Sequence, residues 1–192
     1  MKRSLLLSSL LAFALGGLSC RHTSIKPAAA LTEQQQIDVN CLSLLHQLLE
    51  EEKDVSKLLI IKRESPELNR LIKTISTASA AAAKKLAAFA RQDSSISLDQ
   101  INLPKGETAT RKAIAVTQRN ELLTSSGDDF EFTLLLTQAS ALEYAWHLAK
   151  VASARESQQE RAHYLNSLSE EMKDLHHKVV SLLHVRTAPR KP

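Results

Sequence analysis

Apolar residues along this chain recur three and four positions apart, the spacing of one face of an α-helix, and no segment alternates with the period of two that marks a strand. Thr32 and Gln35 are spaced as a capping box. Ile37, Cys41, Leu44, Leu45, Leu48, Val55 and Leu59 follow on one face, which predicts a first helix ending near Arg63. Ser65-Pro66-Glu67 then reads as an N-cap, a proline at the first helical position and an acid where the helix dipole favours it. The second helix carries Leu68, Leu71, Ile72, Ile75, Ser79, Ala82, Leu86 and Phe89 inward, and its alanine-rich middle invites close approach by a neighbour.

From Asp93 to Glu107 the periodicity lapses among serines, Pro104 and Gly106, so this stretch is expected to be the long connection. A third helix is expected from about Thr108 to Thr124, stopped by Gly127. Asp128-x-x-Glu131 has capping-box spacing ahead of a fourth helix, where Phe130, Leu134, Leu135, Ala141, Leu142, Ala145, Trp146 and Leu148 spread over a wide arc suited to a central element. Ser157-x-x-Glu160 opens a fifth, with Leu165, Leu168, Met172, Leu175, Val179 and Leu182 on its inner seam. Helices of this length joined by short links pack antiparallel, so residues 32–186 are expected to be one all-α bundle of four helices with an additional shorter helix. No fixed-period repeat points to a solenoid.

The first nineteen residues follow another logic. Lys2-Arg3 precedes an apolar run from Leu5 to Leu15, and Gly16 to Ser19 are mostly small, the pattern of an export signal. A run of about eleven residues is too short for the roughly 20 that span a bilayer. Gly17-Leu18-Ser19-Cys20 resembles the bacterial lipoprotein box. That resemblance implies lipid attachment at Cys20, cleavage before it, and residues 20–31 serving as a tether; Arg21 in place of Asp implies the outer membrane. Ordinary cleavage, for which Ala28-Ala29-Ala30 offers a site, would instead release a periplasmic protein. With Cys20 lipidated, Cys41 is the one remaining thiol, placed on an apolar stripe as a small core residue. Residues 187–192 form a short basic tail.

Composition narrows the function. Aromatics are 4% of the chain, too few for the base-stacking platforms of single-stranded nucleic-acid binders. Removing Lys2 and Arg3 from 25 basic residues leaves 23 against 21 acidic, a net charge of +2 with both signs interspersed. No concentrated basic face exists to hold a polyanion, so a nucleic-acid partner is not expected.

The C-terminal two-thirds resembles a domain-of-unknown-function family of bacterial outer-membrane or periplasmic proteins classed as ferritin-like. The residues that carry the likeness are Leu103-Pro104, Gly127 before Asp128-Asp129-Phe130, the helix from Leu134 to Leu148, and Tyr164-Leu165 to Leu168 with Leu175-His176. It implies a ferritin-like four-helix bundle with an additional shorter helix. Where the family carries histidines in its second and fourth helices, this chain has Ser76-Thr77-Ala78 and Gln138-Ala139-Ser140-Ala141.

Candidate chemistry is sparse. Di-iron bundles use two Glu-x-x-His motifs with two further glutamates; this chain has one such motif, Glu160-x-x-His163, and Glu160 is already the expected capping residue. His163, Glu170, His177 and His184 share a side two residues beyond the inner seam, about 200° away, and are expected in solvent. Glu143 and His147 are expected as a surface pair. Glu50, Glu51, Arg186, Arg190 and Lys191 read as solvated ends. Glu52 differs, lying about 40° from Leu48 inside the buried face, where a carboxylate needs a cation, a hydrogen bond or a raised pKa. No nucleophile triad, zinc cluster or phosphate loop occurs. The expectation is a non-catalytic envelope protein, without cofactor or identified small-molecule substrate, attached to the membrane through lipid and acting on other envelope components. The alternative is a ferritin-like metal-binding protein in oxidative or metal stress.

Overall fold

The computed structural model describes residues 32–62 and 64–187. The expected signal peptide (1–19), tether (20–31) and last five tail residues, with Cys20, Arg190 and Lys191, lie outside them. Among the described residues there is no strand, and the helices are α1 (Glu33–Glu52), α2 (Pro66–Gln92), α3 (Lys105–Thr124), α4 (Gly127–Arg155) and α5 (Gln159–Thr187). A 3₁₀ turn over Val55–Ile60 joins α1 to α2. No helix among these residues is long and apolar enough to cross a membrane.

Four helices close into a ring: α1 packs on α2 and α4, and both of those pack on α5. At one end Arg155, closing α4, pairs with Asp38 near the start of α1, while Arg161 at the start of α5 pairs with Asp93 just past α2. At the other end Arg186 of α5 meets Glu131 of α4 and Ser65 ahead of α2. Each neighbour in the ring is therefore antiparallel. Because α2 finishes at one end and α4 begins at the other, the chain must travel back along the bundle. Residues 93–104 and α3 make that journey, with α3 resting on α4.

The apolar stripes meet inside the ring. Leu45, Leu68, Ile72, Ile75, Phe130, Leu134, Leu135 and Val179 are wholly buried, each side chain contributing roughly 1.5–3 kcal/mol by leaving water. All six expected inner residues of α5 are buried. Ile37 is not; it is exposed in the first turns of α1.

Local signals set several boundaries as expected. Thr32 Oγ1 accepts from the Gln35 amide while Gln35 Oε1 accepts from the Thr32 amide, completing the capping box. Ser65 caps α2 through the Leu68 amide, with Pro66 at the first helical position. Other boundaries differ. The α-helical part of α1 stops at Glu52, well before Arg63, and Val55, Leu58 and Leu59 keep their inward direction from the tighter 3₁₀ turn. Ser76 of α2 holds this break by donating to the Lys53 carbonyl, an acceptor left over at the helix end.

The two later capping boxes do not form. Ser126 precedes α4 without a side-chain cap, and Gly127 takes φ +58°, a backbone conformation that suits glycine and turns the chain straight from α3 into α4. Glu131, freed from capping, is buried. At α5 the amide of Gln158 is met by Glu156, while Glu160 points to Lys85.

Candidate functional site

Glu52 sits on the last turn of α1, where the apolar stripe carries it inward. Its Oε2 accepts a 2.8 Å hydrogen bond from Gln138 Nε2 of α4, a residue that is itself wholly buried. Burial pushes the Glu52 carboxyl up to about 7 despite the Gln138 hydrogen bond, and the neighbouring Glu51 charge adds to the rise. Lys53, the adjacent cation, turns instead to Glu50 at 2.6 Å.

Glu52 lines a cleft of about 800 Å³ between α1, α3 and α4. That volume lies in the range of small-molecule pockets. Its walls are largely apolar: Leu44 and Leu48 from α1, Ile101 and Leu103 from the long connection, Ile114 from α3 and Ala141 from α4. The cleft exists because α3 is held at its margins. Arg111 lies over the Tyr144 ring at 4.8 Å, Lys62 donates to the carbonyls of Leu123 in the last turn of α3 and of Ser125 just past it, and Asn40 exchanges hydrogen bonds with Asn102. Leu122 is the one buried residue of α3.

Two further polar clusters hold the ends of the bundle. Glu131 accepts from the Ser65 amide and hydroxyl and from Arg186, so three helices meet at one buried carboxylate. Arg186 is thus not a solvated end, because the neighbouring carboxylate draws it in. At the opposite end Arg161 grips Glu156 with two parallel bonds of 2.8 and 3.0 Å and reaches Asp93 at 2.8 Å. Burial alone would raise Glu156, but the Arg161 fork and the backbone amides of Gln158 and Ser157 together leave the carboxyl below its usual range.

The remaining candidates stay apart. Glu160, His163, Glu170, His177 and His184 are all exposed, so the one Glu-x-x-His motif does not point into the bundle. Glu143 and His147 are exposed too, but the His147 ring stacks on Trp146 at 4.4 Å instead of pairing with Glu143. Cys41 is buried and free, its thiol raised by burial. No group of three or more metal-ligating side chains occurs among the described residues. Sequence reasoning reached Glu52 through helix geometry; it missed Gln138, 86 positions away, because nothing local reveals that α4 crosses there. Glu131 was hidden by its own fit to a capping pattern.

No family model matches the chain, and neither the curated proteins nor the solved structures yield a match.

Proposed function

We propose that the chain is a non-catalytic, exported helical-bundle protein of the bacterial cell envelope, held to the membrane by lipid at Cys20 and working through contacts with other envelope components. One observation carries the reading: a basic, apolar, small-residue leader ends on a cysteine, and a capped helical domain starts twelve residues beyond it at Thr32. The chain that follows spends its apolar stripes on packing against itself, leaving the outer faces of the ring to neighbours. Mass spectrometry of the mature N-terminus tests the address. A diacylated or triacylated Cys20 at the new N-terminus is the expected species; an unmodified amino terminus at any position ends the lipoprotein reading. Crosslinking in intact cells then identifies what the bundle touches.

The finer fold reading is ferritin-like, supported by connectivity: two helical hairpins joined by a single crossover that runs the length of the bundle. It is this connectivity that keeps the metal-binding alternative in view. Metal analysis of protein purified from its own cells separates the two functions. Stoichiometric iron or manganese would replace the first reading, and metal-free protein whose stability ignores chelator would remove the second.

A further inference from the structure

Glu52 presents a mismatch that its own fold does not resolve. The carboxylate is taken largely out of water beside a neutral amide and an acidic neighbour, and burying a charge without a cation is unfavourable. Next to it, the Gln138 Oε1 is buried with no donor of its own. Of the two groups only Glu52 lines the cleft, and an ammonium group, which has N–H donors and no acceptor, answers the need of its carboxylate. An anionic head would bring further acceptors and a repulsive charge.

The surroundings define the rest of the guest. Glu52 opens onto the cleft, whose apolar wall includes Leu44, Leu48, Ile101 and Leu103, and α3 leaves Ile114 half exposed beside it. Cations do line this cleft, but Arg111 of α3 is taken by Glu107 at 2.6 Å and by the Tyr144 ring of α4. Lys112 of α3 also lines the cleft, as does Glu51 of α1; both are exposed. Glu52 is the ionisable group of the site that is drawn into the bundle.

We infer that the cleft between α1, α3 and α4 is a binding site for a small organic cation, a primary or secondary amine on an apolar body, with its ammonium on Glu52 and its body along Leu44, Leu48 and Ile114. The guest supplies the charge that the carboxylate lacks and covers apolar surface that α3 leaves open. The site does not depend on where the protein resides, so it stands or falls separately from the lipid anchor.

The test uses three probes matched in length, n-octylammonium, n-octanol and octanoate, titrated calorimetrically into the purified mature protein below micelle-forming concentrations. At pH 8 octylammonium should bind about tenfold more tightly than octanol, as a charge-assisted hydrogen bond adds to a shared apolar contribution. Octanoate should be the weakest. Because the ammonium selects the ionised carboxyl, its affinity should rise about tenfold from pH 6 to pH 8, with a proton released to buffer below pH 7. Glu52→Gln should erase both the preference for the amine and the proton release while leaving octanol binding in place. Ala115→Trp, made at an exposed position of α3 that lines the cleft, should block all binding without disturbing the core. Absence of octylammonium binding, equal affinity for the alcohol or octanoate, or an unaltered response in Glu52→Gln would each overturn the assignment.

Discussion

The Glu52 carboxyl reaches from the first helix to Gln138 of the fourth, and its titration should be visible in the stability of the protein. Glu52 has an ordinary value of 4.5 and is raised to about 7 in the folded chain, chiefly by burial. Below pH 4.5 it is protonated in folded and unfolded states alike, so its cost is absent. As pH rises from there to about 7, the unfolded carboxyl ionises freely while the folded one resists. Stability should therefore fall across this window, by on the order of 2–3 kcal/mol, and level off above it. Urea melts of wild type and Glu52→Gln at pH 4.5, 6 and 8 check this; a slope retained in the variant would assign the effect elsewhere. Glu131 makes the opposite case, since its charge is answered by Arg186 and by two donors on Ser65. Arg186→Ala strands that carboxylate and should destabilise the fold by about 3 kcal/mol, measured by chemical denaturation at neutral pH. Glu52 could be read from the sequence because its angular offset from Leu48 is fixed by helix geometry. Glu131 could not, because Asp128-x-x-Glu131 satisfies a local rule while its partners Ser65 and Arg186 lie 66 and 55 positions away and arrive only through tertiary packing.

At the level of helices, local signals succeeded where a cap and a stripe agreed. Thr32 and Ser65 are examples, while the α5 seam is buried as expected without its expected cap. They failed where tertiary contacts supplied the end of an element: α1 stops at Glu52 because Ser76 takes up the Lys53 carbonyl, and no residue near Glu52 announces it. α3 stands apart energetically. Helices of this length are marginal in water unless an apolar face is packed, and α3 buries Leu122 alone. Its amides should exchange with deuterium at least about 100-fold faster than those of α4, whose buried face runs from Phe130 to Ala152. Lys62→Ala, which removes the donor to the Leu123 and Ser125 carbonyls, should speed exchange in the last turn of α3 further while leaving α2 and α5 unchanged. Equal protection in α3 and α4 would contradict this account of the cleft wall.

For the domain as a whole, stability rests on the shared core where α4 meets α1 and α5. Leu134 is fully buried, so Leu134→Ala should cost about 3 kcal/mol and lower the melting temperature by roughly 10 °C, read by circular dichroism. The all-helical class and the five helices were legible because long amphipathic stretches carry their own period. The order of packing was not, since a ring of four stripes can close in more than one way and the choice is made by the end clusters around Glu131 and Arg161.

The crossover leaves the two ends of the polypeptide core as self-contained pairs: α1 with α2, and α4 with α5, each a hairpin made from neighbours in sequence. A protease nick between residues 94 and 102 would sever the covalent route yet spare every interface of the ring. The two fragments should then remain together as a heterodimer, and genes encoding them separately should reconstitute the bundle inside one cell. A protein assembled in this way can gain or exchange its halves during evolution without redesigning its centre.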